Sequence, residues 1–169
     1  MAQQHGVPDS DEDERTTAVG LARYAYEYID AARLVDERDT ERHPGNQISP
    51  MPAYFLAAHG IELTLKAYLR HKGVTVRELS GKLGHDLHAC YRKSKELGLL
   101  GIFKEHAKDV DAMRMLVDLN RDQGLRYIKT GVKHFPLWSL VDPLAVRLHQ
   151  AVAPVVGYLT FSVAFGGYQ

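Results

Sequence analysis

The chain has 169 residues, 45% hydrophobic and 25% charged, which is enough for one domain with a sizeable core. Lys plus Arg and Asp plus Glu both number 21, so no net field draws the chain toward nucleic acid or an anionic membrane, and any such affinity must come from a local patch. The lone cysteine, Cys90, excludes an intramolecular disulfide and a CxxC zinc pattern; with no signal-like start, the expected location is the cytoplasm.

Residues 1–9 are polar and lack aromatics, so a disordered tail is expected there. From Ser10, a candidate N-cap, an acidic run leads into Val19, Ala22, Tyr26, Ile29 and Ala32 at helical spacing. This predicts an amphipathic helix ending near Arg38. Pro44, Gly45, Pro50 and Pro52 then mark a loop. The segment from Pro52 to His71 is apolar almost all round and belongs in the middle of a bundle. Glu62 and Lys66 lie four apart on it, in the order that favours an ion pair. Gly73 stops this helix.

After a short turn, Gly84 leads into "HDLHACYRKSKEL", a further helix ended by Gly98, and another is expected from Ile102 to Asn120. The connector "RDQGLRYIKTGVKHFPLW" carries Gly124, Gly131 and Pro136, which predict a loop or short hairpin. Asp142-Pro143 opens the last predicted helix, running to Phe165 with a bend at Pro154. Its apolar part, Ala151 to Phe165, is shorter than the roughly 20 residues of a membrane span, so no membrane role is expected. The expected fold is all-α, one bundle of about five mostly antiparallel helices over residues 10–169.

No Gly-rich phosphate loop follows a strand, and neither HExxH nor GxSxG occurs. His85 and His88 are spaced for one helix face, but a third ligand from His59, His106 or His149 would have to arrive by tertiary packing, so no metal or other cofactor is expected. Charge gathers instead in the connector. Arg121, Arg126, Lys129, Lys133 and His134 accompany the rings Tyr127, Phe135 and Trp138. Cations for phosphates and rings for bases suit single-stranded RNA or a nucleotide; equally, rings in such a loop plug the end of a bundle while its charges keep it solvated.

Three segments together, "AAHGIELTLKAYLRHKG", "GHDL" and "LRYIKTG", resemble the HEPN domain family of helical nucleotide-binding and ribonuclease-like modules. Glu62, Leu63, Lys66, Ala67, Tyr68 and Leu69 match one family helix; His85, Asp86 and Leu87 match the start of the next; Arg126 and Tyr127 match the connector before the last helix. The resemblance covers Ala57 to Gly131. It implies a homodimer that binds or cleaves RNA, or binds a nucleotide, in a toxin, defence or stress setting, with an antitoxin or nucleotidyltransferase-like protein as partner. It also implies metal-independent endoribonuclease chemistry. Arg126 would stabilise the scissile phosphate and His134 would move protons, with Arg121, Lys129 and Lys133 on neighbouring phosphates and Tyr127 stacking on a base. Seven residues separate Arg126 from His134, one more than the family's Arg-to-His spacing. A non-catalytic module for dimerisation and partner binding is the alternative.

Overall fold

The structure, a computed structural model, describes residues 15–121, 124–127 and 130–167. The tail 1–9, the candidate cap Ser10 and Lys129 lie outside the described residues. Among the described residues six α-helices, α1 (Ala18–Arg42), α2 (Met51–His71), α3 (Val76–Ser80), α4 (Leu87–Glu96), α5 (Ala107–Leu119) and α6 (Trp138–Val152), form an all-α bundle. One 3-10 turn, Leu99–Gly101, follows α4, and no strand occurs among the described residues.

The α1–α2 pair is the backbone of the bundle. Small side chains, Ala22, Ala25 and Ala32 on α1 and Ala53 and Ala57 on α2, are at most 1% exposed and let the two helices approach closely. At Gly60 even one added carbon would lie 2.5 Å from Ile29 Cγ1, so this crossing requires glycine. Helix α2 also packs on α4 and α6, which explains why it is apolar almost all round.

Local sequence explains most boundaries. Thr17 caps α1 by accepting from the Gly20 amide at 3.0 Å. The segment after Gly73, expected as a turn, holds the short helix α3, capped by Thr75. Gly98 ends α4 with φ +92°, a left-handed conformation that costs glycine little. Helix α5 begins at Ala107 rather than Ile102, because residues 99–101 close a tighter turn first. The described part of the connector is turn and loop rather than hairpin.

The last helix differs most from expectation. It starts at Trp138, so Pro143 lies inside it and deprives the Ser139 carbonyl of an amide partner. It stops at Val152 instead of bending at Pro154. Gly157, at φ +84°, reverses the chain, and the Tyr158 amide closes the turn on the Ala153 carbonyl at 2.8 Å. The following strap folds back onto the bundle. Gln150 Nε2 donates to the carbonyls of Phe161 and Val163, and Phe161 stacks on Tyr26 with ring centres 4.2 Å apart. The apolar run from Ala151 to Phe165 is therefore partly buried within the chain, Val156 and Phe161 each being 7% exposed. No helix of the described chain is long and apolar enough to cross a membrane.

Candidate functional site

The residues of the first two motif segments meet at a buried carboxylate. Glu62, in the middle of α2, is 4% exposed. Its Oε1 accepts from Lys66 Nζ at 2.7 Å, one helical turn on, and lies 3.2 Å from His85 Nδ1, in the loop before α4. Lys66, 9% exposed, also donates to the Gly84 carbonyl. Asp86 caps α4 by accepting from the Ala89 amide at 2.9 Å, and Leu87 is buried behind it. The His-Asp-Leu start of α4 thus does three things in sequence: the imidazole engages Glu62, the carboxylate caps the helix, and the leucine anchors it in the core.

On the other oxygen, Glu62 Oε2 faces His59 Nδ1 at 3.9 Å, and the His59 ring is held edge-on by Tyr28 with centres 4.5 Å apart. Burial opposes ionisation of Glu62, but His59 and Lys66 outweigh it and hold the carboxyl down at about 2. An ionised carboxylate only accepts hydrogen bonds, so the proton of a neutral His85 sits on Nδ1 and its Nε2 is left as the acceptor. The side chain of His85 is 45% exposed.

Two cavities open beside this cluster. A small one, about 20 Å³, is lined by Phe55, Ala58, His59, Glu62, His85, Asn120 and Arg126. A broad cleft of about 970 Å³ between α4 and α5 also has His85 and Asn120 in its wall. Its floor is apolar, from Leu87, Tyr91, Val110, Met113 and Val117, while Lys95, Arg114 and Arg121 stand among its polar lining. All three of these cations are already paired, Lys95 with Glu105 at 3.4 Å and, in two pairs on and just past α5, Arg114 with Asp111 at 2.8 Å and Arg121 with Asp118 at 2.6 Å. Both pairs are exposed and weak enough for an anionic ligand to compete with them. Cys90, behind the cleft, is fully buried, and burial pushes its thiol up to about 12, so it is not a nucleophile.

The connector divides into two parts. Phe135 and Trp138 plug the end of the bundle: both rings pack on Tyr54, whose hydroxyl donates to the Pro136 carbonyl at 2.7 Å. Arg126 and Tyr127 remain exposed, Tyr127 at 64%. Arg121 and Arg126 stand in adjoining cavities. Lys133 instead donates to the Gly124 carbonyl at 3.3 Å, and neither it nor the exposed His134 is among the residues lining the two cavities. Two histidines share the small pocket with Arg126, His59 and His85, both far away in sequence, and His85 is the more exposed, at 45% against 19%. Sequence spacing pointed along the connector to His134, while His85 was marked only by the His-Asp-Leu motif and by its spacing from His88.

Of the histidines weighed as metal ligands, His59 and His85 meet at Glu62, whereas His106 and His149 lie elsewhere. His149 is buried on α6, 2.7 Å from Thr160 Oγ1 and 2.9 Å from the Ala22 carbonyl, while His106 caps α5. Among the described residues no group of three or more His, Cys, Asp or Glu side chains could hold a metal ion. No family model, curated protein or solved structure matches this chain.

Proposed function

We propose that the chain is a HEPN-like protein that binds or cleaves RNA, or binds a nucleotide, in a toxin, defence or stress setting. One observation carries this reading: Glu62, His85 and Arg126, one from each of the three motif segments, line a single small pocket beside the 970 Å³ cleft. Motif residues up to 64 positions apart have no local reason to converge, and a cation, an imidazole and an apolar floor are what a phosphate and a base need. In this reading Arg126 meets phosphate, Tyr127 supplies an exposed ring for stacking, and Arg121, Lys129 and Lys133 add charge along the strand. If the protein cleaves, Arg126 stabilises charge on the scissile phosphate and His134 moves protons without metal, the long spacing being completed in a homodimer. An antitoxin or a nucleotidyltransferase-like protein would be its partner.

A second reading, a non-catalytic module for dimerisation and partner binding, is favoured by one feature. Val110 on the open side of α5 is 45% exposed, and Leu100 and Ile102 just before that helix are 51% and 39% exposed.

The deciding experiment is incubation of the purified chain with a mixed-sequence single-stranded RNA in EDTA, beside Arg126→Ala and His134→Ala. Cleavage by the wild type that both substitutions abolish, with folding intact, establishes the ribonuclease. RNA binding without cleavage, weakened by Arg126→Ala, leaves the binding function. Neither binding nor cleavage moves the assignment to the partner-binding module.

A further inference from the structure

We propose that His85, positioned by Glu62, is the group that meets a phosphoryl oxygen at this pocket, with Arg126 as its companion cation. This deepens the phosphate-handling reading above and rests on it, but it names a residue outside the connector.

The argument is one of geometry. A carboxylate oxygen that a lysine holds and an imidazole nitrogen also contacts, as Glu62 Oε1 does, orients that ring and sets its tautomer. Lys66 secures Glu62 Oε1 at 2.7 Å and ties itself to the Gly84 carbonyl, one residue before His85, so both ends of the Glu62–His85 contact are anchored to the same lysine. With Nδ1 committed to Glu62, Nε2 is the nitrogen available to a ligand. His85 is the half-exposed member of the cluster and lines both cavities, whereas Glu62 is buried. Arg126 lines the small cavity with it; at about 20 Å³ that cavity has room for about one water, so an anion would have to sit at its rim to meet both the imidazole and the guanidinium.

The other charged groups around the ring do not offer the same role. Asp86 is committed to capping α4, and its charge repels a phosphate. His59 stands behind Glu62, 19% exposed and wedged between Tyr28 and Phe55. His88 is exposed one turn into the cleft, where the Asp118–Arg121 pair also stands. Protonated, His85 donates from Nε2 to a phosphoryl oxygen. Neutral, it accepts there from a hydroxyl. A group that does both beside an arginine is suited to binding a phosphate ester and to moving its proton.

The test uses the full chain with ring nitrogens labelled with ¹⁵N and two probes, inorganic phosphate and a short single-stranded RNA. Expected is a neutral His85 that carries its proton on Nδ1, and an Nε2 resonance that shifts when either probe is added. Glu62→Gln should shift the neutral proton toward Nε2, and Arg126→Ala should weaken probe binding roughly tenfold, as loss of one charge-assisted contact does. If the probes move other resonances but leave the His85 Nε2 resonance in place, or if the neutral proton lies on Nε2 in the wild type, the role of His85 is overturned while the phosphate-handling reading stands. If neither probe moves any resonance, both fall.

Discussion

Asp109 and Glu62 are both buried carboxylates at helix junctions, and their oxygens have different amounts of work left to do. Asp109 is 0% exposed; Arg147 Nη1 reaches both its oxygens, at 2.8 and 2.7 Å, and the His106 amide donates to one of them at 2.8 Å. Arg147 also donates to the Lys104 carbonyl and lies over the Phe103 ring. Both oxygens of that carboxylate are taken, by the Arg147 guanidinium and the His106 amide, so its function is to join α5 to α6. Glu62 has a buried lysine and a half-exposed imidazole on one oxygen, His59 3.9 Å from the other, and lines the small cavity that adjoins the cleft. The difference teaches how to separate a staple from a site among buried charges: a staple has no partner that a ligand can reach.

The largest effect should come from breaking the staple. Asp109→Ala leaves Arg147 without its carboxylate and the His106 amide at the start of α5 without its acceptor, and should lower stability by about 3–5 kcal/mol. Urea unfolding measures it, and a loss below about 1 kcal/mol would break the comparison from the structural side.

Glu62→Gln should cost less, roughly 1–3 kcal/mol, because Lys66 keeps the Gly84 carbonyl and the amide still accepts from it. The pH dependence is more distinctive. In the folded chain the Glu62 carboxyl sits at about 2, against 4.5 for an ordinary glutamate. The unfolded chain therefore binds more protons between these values, and the stability that Glu62 contributes is present above 4.5 and lost as pH falls toward 2. Stability-against-pH curves should be flatter in that window for Glu62→Gln than for the wild type.

A third buried polar group works at higher pH. Burial lowers the His149 pKa below 6.5, although its contact with the Ala22 carbonyl opposes this, so the folded chain favours the neutral ring. The unfolded chain then takes up a proton first, and stability should fall as pH drops below 6.5, by at most about 1.4 kcal/mol per pH unit. His149→Gln should remove that slope and leave the Glu62 window unchanged. A single shared slope in both variants would mean that the strap and the α2 cluster unfold as one acid-sensitive unit.

How much of this was legible in the sequence follows the range of the interactions. Helix periodicity and glycine stops act within a few residues, so α2 and the end of α4 at Gly98 could be read directly. The end of α6 could not. The apolar run from Ala151 to Phe165 satisfies a helix as well as a strap, and the choice is made by Gly157 and by contacts from Phe161 to Tyr26, 135 positions away. The site divides similarly. The Glu62–Lys66 pair is one helical turn and was visible. Its pairing with His85 spans 23 positions and depends on where Lys66 holds Gly84, which no local pattern encodes.

The smallest stability effect is expected at Arg126, and it sharpens the comparison most. Its side chain is exposed on a turn, so Arg126→Ala should change stability by less than about 0.5 kcal/mol. Were Arg126 part of a second staple, its loss would leave the Glu62 carboxylate undercompensated and would register in urea unfolding as a change well above that figure. A ligand-facing arginine behaves in the opposite way: the folded chain tolerates its removal, and the effect appears only when an anion is present. Phosphate or RNA should raise the thermal midpoint of the wild type and not of Arg126→Ala, since a ligand stabilises only to the extent that it binds the folded state. Equal midpoints for both proteins, with and without probe, would put Arg126 in the solvated loop and leave the Glu62 cluster without the cation that makes it a candidate site.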